Sequence, residues 1–243
     1  MRIAVMQPYI FPYLPYFQLV HAVDCFVFLD TVQFLKRGWM HRNRIKLGGK
    51  DHLFTLPVRV ESRNSPITDV VFAENIKAEC ETLKRKLEHA YRKANSWSQL
   101  ETIIWPLMDD MDPGANFSDF AGKSVQAVSD AMGITTDFRS ASALGERTAD
   151  HYQDYILDIC QELGATTYVN PIGGMDIYSP KAFAERNVDL RFLSAQPFVY
   201  PQPGGAFVEN LSIVDVLANV PLGELGQLLD DYELIPSPAE NTA

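Results

Sequence analysis

The sequence predicts an α/β fold: a mostly parallel sheet flanked by helices, with a small β-hairpin and a helical insertion. Three observations predict it. Residues 117–132 read as a helix stopped by Gly133 and followed by the strand-like run ITTDF. Residues 152–163 repeat the arrangement, with Gly164 and then TTYV. A glycine just past a helix supplies the left-handed residue that turns the chain back, and helix–glycine–strand units in succession build parallel sheets. The third observation is the opening, where an apolar strand (3–6), a helix-sized segment and a second apolar strand (25–29) follow one another.

Each remaining element has its own local reason. The first strand breaks into QPYIFPYLPYF, whose prolines at 8, 12 and 15 stiffen a loop rich in rings: Tyr9, Phe11, Tyr13, Tyr16 and Phe17. After Asp30 comes a polar patch read as a loop, holding Gln33, Lys36, Arg37, Trp39, His41, Arg42, Asn43 and Arg44. Gly48-Gly49-Lys50 reads as a turn, 52–60 as a strand, 61–66 as a turn and 68–72 as a strand. Pro57 keeps the first strand of this hairpin off a sheet centre. In 75–93, Ile76, Cys80, Leu83, Leu87 and Tyr91 recur at helical spacing and make one apolar stripe.

Residues 97–111 read as a helix kinked or interrupted at Pro106, and Asp112-Pro113-Gly114 breaks the chain. Ser179 as N-cap and Pro180 at the first helical position start a short helix that ends near Asn187 and feeds a strand at 189–193. Residues 198–205 are irregular, and 212–218 and 222–232 read as closing helices. One domain is expected over 1–235, with 52–111 as the hairpin and helical insertion and 236–243 as a frayed tail.

The net charge of −10 excludes a general nucleic-acid coat, which needs a basic face, although 36–46 is locally basic. No apolar run approaches the ~20 residues of a spanning helix, and Gln7, Pro8 and Pro12 interrupt any signal-peptide core, so a cytoplasmic protein is expected. Cys25, Cys80 and Cys160 are scattered without C-x-x-C spacing and read as buried, reduced thiols. The five histidines (21, 41, 52, 89 and 151) show no metal-ligand spacing, and no metal site is expected.

Polar residues collect where the predicted strands end: Gln7, Asp30, Ser140 and Asn170. If those strands are parallel, the four side chains rise on one edge of one sheet, where open α/β sheets bind ligands. The aromatic loop offers either a stacking floor for a planar base or sugar or a plug that closes the sheet end. The basic patch offers bidentate arginine contacts to phosphate or carboxylate. Asp30 is suited to pair with a cation, hold a ribose hydroxyl or act as a base. Gly173-Gly174, just after Asn170-Pro171, permits close approach of a ligand and presents N–H groups to an anion.

The block MQPYIFPYLPYFQLVHAVDCFVFLDTVQFLKRGWMHRNRI resembles the opening signature of the WbqC-like protein family. The likeness continues through HLFTLPV, YVNPIGGMDIYSPKAF and FVENLSIVDVL. Pro15 stands where the family usually has glycine, and Thr31 where it often has a second aspartate, which leaves no paired carboxylate there. The residues that match the signature are Gln7, Pro8, Tyr9, Tyr16, Asp30, Gln33, Lys36, Arg37, Trp39, Asn43, Arg44, Asn170, Gly173, Gly174, Tyr178, Gln202, Ser212 and Asp215. The resemblance implies work on nucleotide sugars or surface polysaccharides such as O-antigen, by transfer of glycine or another acyl group to an amino sugar.

A more distant likeness is to the opening of pantothenate-synthetase-like nucleotidyltransferases. It implies a Rossmann-like sheet of the HUP kind. PYLPYF stands in the slot of their histidine pair, and no histidine occurs in residues 1–20, so that histidine device is missing.

Three functions follow as expectations. The first is an aminoacyl or acyl transferase acting on a nucleotide sugar or amino sugar. Asp30 or His41 would take the amine proton, while Lys36, Arg37, Arg44 and the Gly173-Gly174 amides would hold phosphate or oxyanion. The second is an ATP-dependent nucleotidyltransferase or ligase that activates a carboxylate. The third is a non-catalytic module that presents a nucleotide sugar. The implied ligands are a nucleotide (ATP or a nucleotide sugar) and an acyl donor carried as a thioester or an aminoacyl-tRNA. Tyr9, Tyr13, Tyr16, Gln33, Trp39, Asn43, Ser140, Tyr178, Gln202 and Ser212 complete the candidate ligand contacts.

Overall fold

The computed structural model describes residues 1–145 and 151–237. Strand β1 (Arg2–Met6) lies inside the main sheet, and helix α1 (Leu14–His21) returns the chain to β2 (Cys25–Phe28), parallel to it. The chain then leaves the sheet. It forms an antiparallel pair, β3 (Arg42–Leu47) with β4 (Lys50–Thr55), and a shorter one, β5 (Val58–Arg59) with β6 (Val71–Phe72). Helices α2 (Ile76–Tyr91) and α3 (Trp97–Asp109) follow, and α4 (Phe117–Ala131) brings the chain back to β7 (Asp137–Ser140), parallel to β2.

Helix α5 (Tyr152–Glu162) then crosses to the other side of β1. There β8 (Thr167–Pro171), α6 (Pro180–Glu185) and β9 (Asp189–Ala195) extend the parallel sheet. Helices α7 (Ile213–Asn219) and α8 (Leu222–Asp230) precede the antiparallel edge strand β10 (Tyr232–Pro236). The resulting order is β10-β9-β8-β1-β2-β7. The chain spreads from β1 first through β2 and later through β8, so its direction of winding reverses between β1 and β8.

Side-chain alternation sets the two layers. Ala4, Phe26 and Phe28 face a core shared with α1, α4, α7 and α8, while Ile3, Val5, Cys25 and Val27 face one shared with α5 and α6. Both faces of β1 and β2 are therefore covered, as parallel strands require. The two glycine stops hold: Gly133 and Gly164 take φ of 76° and 64° just after their helices. Four strand ends named from the sequence, at Gln7, Asp30, Ser140 and Asn170, do lie on the carboxyl edge of parallel neighbours.

Several element readings are corrected. The basic patch is not all loop, because residues 42–47 form β3, whose buried Asn43 and Ile45 alternate with the partly exposed Arg42 and Arg44. Charge hides that period of two. The excursion from the sheet thus starts before residue 52. The expected strand 52–60 splits at Leu56-Pro57: β4 ends at Thr55 and β5 takes a different partner, Val58 opposite Phe72. Of 68–72 only Val71–Phe72 is strand, preceded by a 3₁₀ turn at Ile67–Asp69. Helix α3 continues past Pro106 to Asp109.

The expected helix 222–232 stops at Asp230, and Pro236 is the last residue of β10, opposite Arg191. A proline is tolerated there because the strand is at the edge. Ser237 N–H donates to the Leu190 carbonyl at 3.2 Å, and the rest of the expected frayed tail, 238–243, lies outside the described residues.

The three cysteines are free and buried. Burial pushes the Cys80 thiol up to about 11 and that of Cys160 up to about 12, far from thiolate chemistry. Among the described residues, no group of three or more His, Cys, Asp or Glu is placed to hold a metal ion, and no helix is long and apolar enough to cross a membrane.

The irregular run 196–211 is nevertheless tied down. Asp215, fully buried in α7, accepts hydrogen bonds from the Tyr91 hydroxyl (2.6 Å), the Tyr200 hydroxyl (2.6 Å) and Gln202 Nε2 (2.9 Å). Burial raises its carboxyl above the ordinary range, and the donated bonds oppose the rise. Lys46, also buried, donates from Nζ to the Ala206 carbonyl at 2.8 Å. Asp215→Ala should therefore lower stability by about 3 kcal/mol, because the buried Tyr91 and Tyr200 hydroxyls lose their acceptor and Gln202 loses one of its three. Urea unfolding measures it, and a loss below about 1 kcal/mol would contradict the role given to this network.

Candidate functional site

A cavity of about 550 Å³ opens at the place where the winding reverses. Its floor comes from the carboxyl ends of β1, β8 and β9, with Met6, Pro171, Leu193 and Ala195 in the wall. Ligands of open parallel sheets bind outside such strand ends. Tyr9, Tyr13 and Tyr16 supply phenol rings, while Trp39, Asn43 and Arg44 come from the loop before β3 and from β3 itself. Tyr9 and Tyr16 stack at 5.7 Å between centroids. Burial lifts all three phenols above their ordinary range, and for Tyr9 its neighbours Tyr13 and Tyr152 add to the effect. They stay protonated near neutral pH and are not bases.

Charge on this wall is one-sided. Arg44 is its one charged residue, and no carboxylate, imidazole or thiol joins it among the described lining residues. The Arg44 guanidinium carbon lies 5.4 Å from the centre of the Trp39 ring, and Arg42 lies at the same distance. Trp39 thus stacks with two arginines at the cavity mouth, an arrangement that holds a half-exposed ring in place. Arg44 Nη1 reaches Asp51 at 3.3 Å, an exposed pair of little energetic weight, and its Nε is buried with no acceptor among the described residues.

One backbone oxygen organises the wall. Phe11 is buried with φ of 46°, a left-handed conformation that costs a non-glycine residue roughly 1–2 kcal/mol. Its carbonyl accepts from Asn43 Nδ2 at 2.8 Å and from Ser212 Oγ at 2.7 Å. Around it, Ser212 N donates to the Arg44 carbonyl and Ile213 N to the Pro12 carbonyl, both at 2.8 Å. The aromatic loop, β3 and the start of α7 are knotted together at this point. Asn43 and Ser212, expected as ligand contacts, thus spend their side chains on the frame, although Asn43 also lines the cavity.

The other expected site residues divide. Gln7 stands behind the rings: its carbonyl accepts from the Tyr16 hydroxyl at 2.9 Å, and its Oε1 from the Tyr9 hydroxyl at 3.4 Å. Gly173 is in the wall. Asn170 and Tyr178 form a layer below with Tyr168, whose hydroxyl meets both at 3.2 and 3.1 Å. A Cβ on Gly174 would stand 1.9 Å from Asn170 Nδ2, so a side chain there would displace the Asn170 amide.

Asp30 lies one strand away, its two oxygens taken by the backbone N–H (2.9 Å) and hydroxyl (2.5 Å) of Ser142. His41 is buried with Nδ1 against the Leu56 carbonyl and Nε2 against the Lys36 carbonyl. Gln33 donates to the Arg63 carbonyl, Lys36 and Arg37 are exposed in the loop, and Ser140 sits on the edge strand β7. Gln202 holds the 196–211 run from inside, donating to Tyr200, Val208 and Asp215. None of these lines the cavity. Conversely, Asn210 was not expected in the wall; its φ of 55° is of a kind that asparagine tolerates better than most residues, a signal too local to point at a site.

Residues 7–225 match the WbqC-like protein family, from the aromatic loop into α8. The chain belongs to that family. Over 221 residues this WbqC-like chain is 27% identical to the uncharacterized protein Rv1507c of Mycobacterium tuberculosis (strain ATCC 25618 / H37Rv), covering 90% of this chain and 94% of that protein. No solved structure matches it. The matched range holds every residue that lines the cavity except Met6.

Because Asn43 and Ser212 share one acceptor, either alone keeps the buried carbonyl satisfied. Asn43→Ala and Ser212→Ala should each cost about 1–2 kcal/mol, and the double variant should exceed their sum by at least ~0.5 kcal/mol. Additive losses in a denaturant double-mutant cycle would show that the two bonds are independent.

Proposed function

We propose that this WbqC-like protein is an enzyme of nucleotide-sugar or surface-polysaccharide modification that transfers an acyl or aminoacyl group to an amino sugar. The observation that carries the reading is the cavity itself: stacked phenol rings and one arginine at the winding reversal of a parallel sheet. The Tyr9 and Tyr16 hydroxyls donate to Gln7, so these rings offer faces and the protonated Tyr13 phenol donates to a sugar hydroxyl, while Arg44, whose Nε lacks an acceptor, suits a phosphate or carboxylate. Half-exposed Trp39 lines the same wall with Arg42 and Arg44 over its ring. The sheet order about β1 supports a Rossmann-like reading of the fold, of the nucleotidyltransferase kind.

In such a transfer the amine nitrogen attacks the acyl carbon of an ester or thioester. The C–N bond forms, the bond to the leaving oxygen or sulfur breaks, and the leaving group departs with the proton that the amine gives up. The chain's residues would bind and orient the partners, since approximation alone is worth several kcal/mol of barrier. Asp30 and His41 are engaged away from the cavity, so this version of the reaction does not route a proton through them.

The composition of the wall favours a second reading, a binding module that holds a nucleotide sugar without turning it over. One pair of measurements separates the two. Isothermal titration with a uridine diphosphate amino sugar should show binding that Arg44→Ala weakens at least ~10-fold, the scale of a lost charge-assisted bond, with Asp30→Asn within ~2-fold of wild type. Amide formation from an acyl thioester should accompany it. Unchanged affinity in Arg44→Ala would sink the assigned cavity, and binding without amide formation would select the second reading.

A further inference from the structure

A second pocket, of about 270 Å³, adjoins the first. Tyr13, Pro15, Ala195 and Asn210 line both, so the two are chambers of one cleft with a shared wall. The chemistry of the smaller chamber differs. Leu14, Phe198, Tyr200, Phe207, Leu211 and Val216 line it with apolar side chains, Gln196 and Glu209 stand among them, and Arg44 does not reach it. The Tyr200 hydroxyl is spent on Asp215, which leaves the ring as an apolar surface. Phe207 meets that ring edge-on at 5.2 Å, and Phe198 stacks on it at 6.1 Å.

This chamber is formed before any ligand arrives. Gln202 and Lys46 pin the overlying 196–211 run, and Asn210 in the shared wall is held with φ of 55°. At about half the volume of the larger cavity, the chamber has room for a smaller group.

We propose that the smaller chamber is an acyl subsite, which takes the short apolar chain of a thioester donor while the larger cavity holds the amine-bearing acceptor. The inference rests on the transferase reading above. The two partners meet at Tyr13: the acceptor nitrogen bonds to the thioester carbon, the C–S bond breaks, and the thiol leaves with the amine's proton. No oxidant, reductant or nucleotide triphosphate is consumed.

The test uses the full chain and two probes, hexanoyl-N-acetylcysteamine for the small chamber and uridine diphosphate for the large one. Gln196→Trp, at a position lining only the small chamber, should weaken the thioester probe at least ~10-fold by blocking apolar burial and leave uridine diphosphate within ~2-fold. Phe207→Ala should widen the chamber and move preference from hexanoyl to decanoyl probes, which keeps the test alive if the tryptophan variant melts early.

Two results overturn the subsite while leaving the larger cavity as read. One is uridine diphosphate binding with no thioester binding to the wild type. The other is a thioester affinity indifferent to Gln196→Trp together with a chain-length preference indifferent to Phe207→Ala. Failure of uridine diphosphate to bind the wild type overturns the anion cavity, and the subsite with it.

Discussion

The Phe11 carbonyl is the constraint on which the site depends. It stands on a buried residue in a conformation disfavoured for any side chain, and two side chains from distant parts of the sequence hold it there. Without those bonds the loop after β1 would have no reason to turn as it does, and Tyr9, Tyr13 and Tyr16 would not share one wall. The same knot brings Arg44 and the start of α7 to that wall, since the Arg44 carbonyl receives the Ser212 N–H. A local strain of order 1–2 kcal/mol is offset by bonds that unite three segments.

Charge is sorted by the same frame. The basic stretch 36–46 looks like one patch in sequence, but its cations have separate tasks. Arg42 turns back on the carbonyls of Gly38 and Arg37, Lys46 is buried under the 196–211 run, and Arg44 alone lines the cavity. In a protein with net charge −10, the proposed anion contact rests on this one arginine and not on a diffuse basic surface.

Much of the sheet was legible because its signals are local. Glycine stops after α4 and α5, and apolar runs at β1, β2 and β8, gave the parallel strands and put Gln7 and Asn170 on the right edge. What the sequence hid depends on partners. Strand β3 looked like a charged loop because its alternation is between asparagine or isoleucine and arginine, and β10 looked like the end of a helix because only its pairing with β9 makes it a strand. The carboxylate of Asp30 reads as a base in the sequence, but Ser142, distant along the chain, occupies both its oxygens. Asn43 and Ser212 carried the family signature, but their role is to hold a carbonyl, which no spacing rule reveals.

The central claim is a place: the reversal between β1 and β8 is where an anionic, sugar-bearing substrate sits. A crystal structure of the chain with a uridine diphosphate amino sugar tests it most directly. The account predicts the ligand between the Tyr9 and Tyr13 rings and the Arg44 guanidinium, outside the carboxyl ends of β1 and β8. A ligand seated instead over Asp30 and Ser142, with the tyrosine cavity empty, would contradict it.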